Sequence, residues 1–159
     1  MAIRITKLSA KDIPQTHKLL HSVIRHHNCY SNEACRVWEH FYTPARLKKS
    51  LRDKNWLCLI AKDKNKIIGF ANIFQIYGGV ARSDWTLVHP DYRHHGVGHA
   101  LMAAKFKECK KLGCHKIETD SIVGNEFGKR LLEETGWKKI ANLKNHWFGQ
   151  DYYLWERFL

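Results

Sequence analysis

The sequence predicts a single α/β (α+β) domain built on one mixed sheet. Its 159 residues suit one hydrophobic core and are few for two domains. A hydrophobic fraction of 44% with 12% aromatic residues is typical of a globular protein. Runs of apolar, strand-like residues alternate along the chain with stretches of helical periodicity. Because no repeat, low-complexity tract or Pro/Gly/Ser-rich linker interrupts the sequence, we expect one domain over residues 1–159.

The N-terminal third is predicted to be a strand followed by helices. The alternating residues IRITKL predict a strand over 3–8. Asp12 is placed to cap a helix with Pro14 in its first turn, and apolar residues recur at helical spacing after it. Residues 26–32 are polar and contain an aromatic, so we expect a loop there. The Thr-Pro pair at 43–44 opens a second helix by the same capping logic.

The middle of the chain is predicted to be a hairpin, a strand and a long helix. Two apolar strands are expected at 56–61 and 67–76, and the turn-forming KDKNK between them predicts an antiparallel hairpin. WTLV at 85–88 is a further strand. From Val97 onward, apolar residues fall on one side of a helix that Gly113 closes.

The last third continues the alternation of strands and helices. HKIETDSIV predicts a strand over 115–123, and residues 125–134 predict a helix that ends at Gly136. DYYLWERFL predicts a final strand over 151–159. The order is therefore a helical insertion near the start, a meander, and then βαβα with further strands, which indicates a mixed α/β sheet.

The charge balance is strongly basic. Lys and Arg number 27 against 15 Asp and Glu, which gives a formal net charge of +12, and 11 histidines add partial charge below neutral pH. Such a field attracts polyanions, whether nucleic acid or a phosphate-bearing cofactor. Charge alone does not separate these two partners.

Several features favour a cytoplasmic protein. No apolar run approaches the roughly 20 residues needed to span a bilayer, and the N-terminus lacks the apolar segment of a signal peptide. The five cysteines form no CxxC pair and leave an odd residue over, which suits a reducing compartment. We expect no membrane partner.

A basic, glycine-containing segment follows the strand at 85–88. VHPDYRHHGVGHALM combines a strand end, a tight loop and a helix N-terminus, which together present free N–H groups to a pyrophosphate. Gly96 and Gly98 allow the backbone to approach a ligand, and basic side chains precede them. The segment is neither a GxGxxG dinucleotide motif nor a GK[ST] loop.

RHHGVG at 93–98 resembles the R/Q-x-x-G-x-G/A loop of the GNAT acyltransferases, which bind acetyl-CoA. The residues around it carry the same resemblance. LVHPDYR is similar to the strand and lead-in before that loop, and IIGFANI to the preceding hairpin strand. NEFGKRLLEETGW at 125–137 is similar to the family's N-x-x-A-x-x-x-Y-x-x-x-G-F segment. The resemblance covers residues 56–159 well and 1–55 only in general layout.

The resemblance implies a GNAT fold and a place for acetyl-CoA as co-substrate. The sheet would be mostly antiparallel, flanked by about four helices, and splayed between the strand ending at Val88 and the strand 115–121. Pantetheine would lie in that gap like a partial strand, with the pyrophosphate on the amides of 93–98. For Lys129 and Arg130, a solvated helix face is an alternative. The implied cofactor-binding residues are Leu87, Val88, Arg93, His94, His95, Gly96, Val97, Gly98, His99, Asn125, Lys129 and Arg130.

Transfer to an amine needs a base, because an ammonium of pKa ~10.4 is almost wholly protonated at neutral pH. The resemblance places Asp84 where many family members carry an acidic residue on the strand before the phosphate loop. Asp is shorter than the usual Glu by roughly 1.5 Å, which makes a bridging water more necessary. Alternatively, Asp84 only ends a strand or pairs with a basic residue.

The resemblance also concerns the leaving thiolate and the developing oxyanion. The backbone N–H near Val88 is implied as the oxyanion donor. The Tyr that commonly protonates the CoA thiolate is replaced by Leu132. Tyr152 and Tyr153 are the nearest substitutes, and the alternative is that both only pack in a strand. A thiol of pKa ~8.5 is also a fair leaving group without help.

The acceptor end is expected between residues 26–34 and 142–151, where Glu33 and Asp151 are candidates to hold an ammonium or are plain surface residues. The net charge of +12 disfavours polyamine acceptors. Two other functions stay open: an acyl-CoA sensor without turnover, and a less favoured nucleic-acid-binding module, for which no known motif is present. No metal is expected, and both a monomer and a homodimer are compatible with the sequence.

Overall fold

The computed structural model of the chain describes residues 2–159, apart from the side chain of Gln75. It contains one eight-stranded sheet with five α-helices. The strands are β1 (Ile3–Lys7), β2 (Trp56–Asp63), β3 (Lys66–Tyr77), β4 (Val80–Arg82), β5 (Thr86–Val88), β6 (Lys116–Ile122), β7 (Lys138–Leu143) and β8 (Tyr152–Phe158). The helices are α1 (Ile13–Arg25), α2 (Asn32–Phe41), α3 (Pro44–Ser50), α4 (Val97–Lys111) and α5 (Glu126–Glu134).

The sheet is mixed and mostly antiparallel, as predicted. Its order is β1-β2-β3-β4-β6-β8-β7, with β5 paired to β3 beside β4. Every pairing is antiparallel except that of β4 with β6. The helices number five rather than the expected four or so. None of those in residues 2–159 is long and apolar enough to cross a membrane.

The sheet opens between β5 and β6. β4 pairs with β6 along residues 80–82, and the next bond runs from the Ser83 N–H to the Glu118 carbonyl at 2.9 Å. Beyond that point β5 pairs only with β3, and β6 only with β8. The predicted splay between the strand ending at Val88 and its parallel neighbour is therefore confirmed.

A β-bulge marks the start of this opening. Phe74 of β3 pairs with Arg82, and Ala71 pairs with Thr86. Between these pairs, two residues of β3 (72–73) face three residues on the other side (83–85). One extra residue in a strand re-aims the side chains around it. The predicted strand at 85–88 is thus the part of a bent strand that follows the bulge.

Three elements were not predicted from the sequence: α2, β4 and β7. In α2 only Ala34 is fully buried, but Cys35, Trp38 and Phe41 pack against the core at helical spacing, and the Ser31 side chain caps the helix by accepting from the Ala34 N–H at 3.2 Å. β4 has three residues. β7 is an edge strand whose residues are mostly exposed, and it forms because β8 offers it a hydrogen-bonding partner.

The sheet is covered on both faces. The α1–α3 face buries a core that contains Leu20, Ile24, Tyr42, Phe70 and Trp85. The opposite face, under α4 and α5, buries a second core that contains Met102, Ile117, Leu132, Trp137 and Trp155. The gap between β5 and β6 lies between these two cores, so side chains from both faces border it.

Candidate active site

The N-terminus of α4 presents a row of backbone amides. His94 and Gly96 have left-handed backbone conformations, with φ of 61° and 77°, and Gly96 is the N-cap residue. The first hydrogen bond of the helix runs from the Ala100 N–H to the Gly96 carbonyl at 3.0 Å. The amides of residues 97–99 lie ahead of that bond and have no intrahelical acceptor. With the positive end of the helix dipole, they form a site suited to a phosphate.

The two glycines of this loop serve different purposes. A Cβ on Gly96 would meet no atom within 4 Å, so the positive φ is what requires glycine there, and the space beside it is open. A Cβ on Gly98 would lie 3.1 Å from the Leu131 side chain. Gly98 therefore allows α4 to pack closely against α5, a packing role in addition to the predicted approach of backbone to ligand.

Basic side chains surround the amide row. The Arg93 Nε donates to the Val88 carbonyl at 3.4 Å, and the His95 Nδ1 lies 2.6 Å from the Arg93 carbonyl. The His94 ring stacks edge-on against Phe127 at 5.7 Å. Arg93, His94 and His95 are all exposed. Over residues 2–159, no group of three or more His, Cys, Asp or Glu side chains is arranged to hold a metal ion.

The backbone of β5 faces the gap at alternate residues. The His89 N–H donates to the Ile68 carbonyl at 2.8 Å, and the Trp85 carbonyl accepts from the Asn72 N–H at 3.1 Å. Odd-numbered residues of β5 therefore direct their polar groups toward β3, and the N–H and C=O of Val88 point into the gap. Leu87, by contrast, is 5% exposed and bonds to β3, so it presents no free backbone group there.

The predicted residues of α5 and α4 are partly engaged within the protein. The Asn125 Oδ1 caps α5 by accepting from the Gly128 N–H at 3.0 Å. Lys129 lies 3.7 Å from Glu126, and the His99 Nε2 lies 3.2 Å from Glu134. The remaining predicted residue of α5, Arg130, is exposed and makes no ion pair within residues 2–159.

Asp84 occupies the bulge at the mouth of the gap. Burial raises the pKa of its carboxyl to about 7, and the nearby charge of Asp120 acts in the same direction. Arg82 and a hydrogen bond with Asn72 oppose this shift. The group is therefore balanced between its acid and base forms at neutral pH, which suits a residue that exchanges protons.

Asp120 is a site residue that was not predicted from the sequence. It lies on β6 across the gap from Asp84, accepts a hydrogen bond from the Arg82 guanidinium, and accepts another from the Trp147 Nε1 at 3.1 Å. The sequence offered only a weak indication of Asp120, namely a carboxylate in a predicted strand that leads into the Asn125 segment. Only the sheet pairing brings it beside the bulge.

Tyr152 lies on the same sheet face as Asp120. It pairs with Ile122 across β6 and β8, is 3% exposed, and its hydroxyl has no hydrogen-bond partner among the described residues. Burial raises the pKa of this phenol, and the Asp120 charge adds to the effect. Tyr153 faces the other side, where its ring contacts Trp155, because adjacent strand residues alternate.

The two loops expected at the acceptor end do meet. The Ser31 N–H donates to the Gln150 Oε1 at 3.2 Å, and the Gln150 Nε2 donates to the Cys29 carbonyl at 3.1 Å. Asp151, however, accepts from the Lys144 Nζ at 2.6 Å, and this bond lowers the pKa of its carboxyl. Glu33 is exposed in the first turn of α2. Asp120, rather than Asp151 or Glu33, is therefore the acid that acts on Asp84.

Two cavities lie near the site. One of about 610 Å³ lies between α1 and the β2–β3 turn and reaches His89, but Asp84 and Asp120 do not line it. A second, of about 200 Å³, is bordered by Tyr152 and Asp151. The amide row and the carboxyl of raised pKa both lie at the gap rather than at the larger cavity.

Known proteins share this architecture. A family model described as the acetyltransferase (GNAT) family matches residues 20–137. The PaiA N-acetyltransferase from Thermoplasma acidophilum in complex with coenzyme A is 21% identical, with a TM-score of 0.83 and 100% of both chains covered. The ribosomal-protein-alanine N-acetyltransferase from Brucella melitensis is 19% identical, with a TM-score of 0.81 and 98% of this chain and 99% of that chain covered. No curated protein sequence matches the chain.

The family match extends from within α1 to Trp137, directly before β7, which is most of the chain. The splayed sheet, the bulge and the amide row at α4 all fall within it. The resemblance inferred from RHHGVG and its neighbours is thereby confirmed. The chain belongs to the GNAT acetyltransferase family, and its acyl donor is acetyl-CoA.

Proposed function

We propose that this protein transfers the acetyl group of acetyl-CoA directly to a primary amine, with Asp84 as the general base. The observation that carries this proposal is the position of Asp84: a carboxyl with a pKa of about 7 at the mouth of a gap that also exposes the Val88 backbone. A base with a pKa near the operating pH combines adequate basicity with an adequate ionised fraction.

The donor would be held by backbone more than by side chains. The amides of residues 93–98 would take the diphosphate, with Arg93, His94 and His95 adding positive charge. The outward N–H and C=O of Val88 would bond the pantetheine arm as a neighbouring strand would. The same N–H is positioned to donate to the acetyl oxygen as negative charge develops on it. The open space beside Gly96 supports this arrangement.

The acceptor must lose a proton before it attacks. The Asp84 carboxylate would take it, directly or through one water molecule, because the Asp side chain is short. The neutral amine nitrogen, with its lone pair free, then bonds to the acetyl carbon; this makes its remaining protons more acidic, and a second proton passes to water as the amide forms. The second carboxylate, Asp120, would stabilise the incoming ammonium electrostatically before that step.

The thiolate of coenzyme A leaves when the carbon–sulfur bond breaks, and Tyr152 is our proposed proton donor to its sulfur. Support comes from the buried hydroxyl, which has no internal partner, and from the raised pKa, which keeps the phenol protonated. Leu132, at the family's usual tyrosine position, is buried in the core under α5 and has no proton to give.

The acceptor class we favour is a small amine or a peptide N-terminus. The structurally similar proteins include an enzyme named for ribosomal-protein alanine and the PaiA N-acetyltransferase. Aromatic side chains from Tyr30 and Trp147 flank the acidic pair, which suits an ammonium on an apolar carrier. The net charge of +12 still disfavours a long polycation.

A thiol-release assay with acetyl-CoA tests the proposal. Small amines, amino acids, polyamines and peptide N-termini are compared as acceptors, first with the native protein and then with Asp84→Asn. We expect release with at least one amine and a loss of about a hundredfold in kcat for Asp84→Asn. Glu133→Gln, which changes an exposed acid near the end of α5, serves as the control and should retain native kcat. Native turnover by Asp84→Asn would exclude Asp84 as the base.

Leu132 favours a second candidate, an acyl-CoA sensor that binds without turnover. The two functions differ in one pair of measurements. A sensor binds acetyl-CoA in calorimetry but releases no thiol with any amine in the panel, whereas the enzyme does both.

A further inference from the structure

Lys105 is a lysine in the interior of the protein. It lies on the buried side of α4, one turn after Leu101 and one turn before Cys109, which are also buried, and it is 1% exposed. Removing an ammonium group from water is costly unless other groups replace its hydration. An apolar side chain of similar size would fill the same space without that cost. The interior position of this charge therefore calls for a role beyond packing.

The ammonium of Lys105 is bonded entirely to the bulge. Its Nζ donates to the Ser83 Oγ at 2.5 Å, to the Thr86 Oγ1 at 2.6 Å and to the Trp85 carbonyl at 3.4 Å. A lysine has three N–H donors, and all three find an acceptor here. These acceptors lie on both sides of Asp84 in the sequence: Ser83 precedes it, and Trp85 and Thr86 follow it. Lys105 therefore holds the segment that carries the proposed base through three hydrogen bonds.

The bulge determines where Asp84 points. In a regular strand Ser83 and Thr86 would face opposite sides of the sheet, but both contact Lys105 on the α4 side. Trp85 packs in the core of the α1–α3 face, and a hydrogen bond between Asp84 and Tyr42 places the carboxyl on that face too. Turning Asp84 to that face requires the bulge to keep its shape.

The other side of the bulge is held by neighbouring strands. The Asn72 Oδ1 accepts from the Trp85 N–H at 2.9 Å, and the Thr119 Oγ1 donates to the Ser83 carbonyl at 2.7 Å. Lys105 supplies the restraint from the helix side. The segment is therefore fixed from β3, from β6 and from α4, and of these restraints only that from Lys105 carries a charge.

We propose that Lys105 is a positioning residue for acyl transfer, which pins Ser83 and Thr86 to α4 and so holds Asp84 in the orientation that receives the acceptor's proton. This inference rests on the proposed function, in which Asp84 is the base. Lys105 touches neither donor nor acceptor and acts through the backbone of the bulge.

The pKa shifts of Lys105 and Asp84 agree with this positioning role. Burial lowers the pKa of Lys105 to about 7, while Cys109 on its own helix and Asp84 on the bulge act in the opposite direction. In return, Lys105 and Arg82 oppose the rise in the pKa of Asp84 that burial and Asp120 cause. Removing the lysine charge should therefore raise the pKa of Asp84 further.

The test compares Lys105→Met with Leu101→Val. Both change a buried side chain of α4, but Leu101 cannot hydrogen-bond to the bulge. We expect Lys105→Met to lower kcat at least about tenfold, since small misplacements of a catalytic group have large effects. The KM for acetyl-CoA should change less than about twofold, because the amide row remains, and the acidic limb of the kcat profile should move to higher pH. Leu101→Val should alter neither the limb nor, in the folded fraction, kcat.

Thr86→Val provides a second variant of native shape that removes one acceptor of the ammonium. If Lys105→Met does not fold, a lower kcat with unchanged KM in Thr86→Val supports the inference, and native kcat overturns it. If both fold, native kcat and an unmoved acidic limb in both overturn it. Native protein that releases no thiol refutes the proposed function itself, so the two failures are distinguishable.

Discussion

At the level of single residues, the carboxyl of Asp84 lies in an environment that opposes its charge. Burial and the neighbouring Asp120 both disfavour the ionised form, while Arg82 and Lys105 favour it. A group so balanced is useful as a base and costs stability when it ionises. The same feature therefore has one consequence for activity and another for folding.

The stability consequence has a definite pH window. The pKa of Asp84 is about 7 in the folded protein against an ordinary value of 3.8. Because the folded pKa is the higher one, the contribution of Asp84 to the free energy of unfolding is fully present below about pH 4 and is lost as the pH rises through 7. We expect the free energy of unfolding of Asp84→Asn to match that of the native protein near pH 4 and to exceed it by about 4 kcal/mol at pH 8. Urea unfolding at several pH values measures this difference, and parallel native and mutant curves would contradict it.

Tyr152 offers a second residue-level test. We expect Tyr152→Phe to lower kcat by about tenfold, because general-acid help to the leaving sulfur is lost. An acetyl thioester of a more acidic thiol needs less protonation, so the variant should approach native rates with that donor. Tyr153→Phe is the matched control, since that ring lies against Trp155 on the opposite face. Equal loss with both donors would indicate that Tyr152 only packs.

At the level of elements, the α4 N-terminus and the bulged strand each supply one part of the proposed site. The helix contributes amides and its dipole, and the strand contributes one free edge and one re-aimed carboxylate. Both depend on departures from regular structure: the left-handed Gly96 and the extra residue at 83–85. In a regular strand Asp84 and Trp85 would face opposite sides of the sheet.

Gly96→Ala tests the helix terminus. A side chain at φ 77° costs roughly 1–2 kcal/mol of strain, although no neighbouring atom blocks it. We expect the loop to relax and the KM for acetyl-CoA to rise about tenfold with a smaller change in kcat. Gly113→Ala is a matched control, because Gly113 has φ 75°, equally open surroundings and a position at the far end of α4. Equal KM values in both variants would place the cofactor elsewhere.

At the level of the whole molecule, the positive field and the local acids act on different substrates. A net charge of +12 attracts the anionic donor over long distances. Asp84 and Asp120 act only at short range on a cationic acceptor. The protein can thus collect both substrates although their charges are opposite.

Ionic strength separates these two contributions. Raising salt from about 0.05 M to 0.5 M shortens the Debye length to a few ångströms. We expect the kcat/KM for acetyl-CoA to fall several-fold over this range, with kcat nearly constant. The kcat/KM for a small amine that has no charged group besides its ammonium should change less than that for acetyl-CoA. A salt-independent kcat/KM for acetyl-CoA would show that the basic surface plays no part in its capture.

Much of the fold was predictable because its strongest elements carry local signals. The hairpin of β2 and β3 has a polar turn between apolar runs, and α1 and α4 have clear ends and apolar sides. Edge strand β7 is mostly exposed and β4 has only three residues, so neither sequence shows a period. They exist because neighbouring elements supply bonds and surface.

The sequence by itself determined the family and singled out the loop at 93–98 and Asp84 as candidates, because short contiguous motifs carry that resemblance. Only the tertiary structure decided that Asp120 lies near Asp84, that Tyr152 rather than Tyr153 shares the sheet face of Asp120, and that Lys105 hydrogen-bonds to the bulge. Each of these depends on which strands pair and in which register. The elements that meet here are far apart in the sequence, so no local pattern along the chain records their contacts.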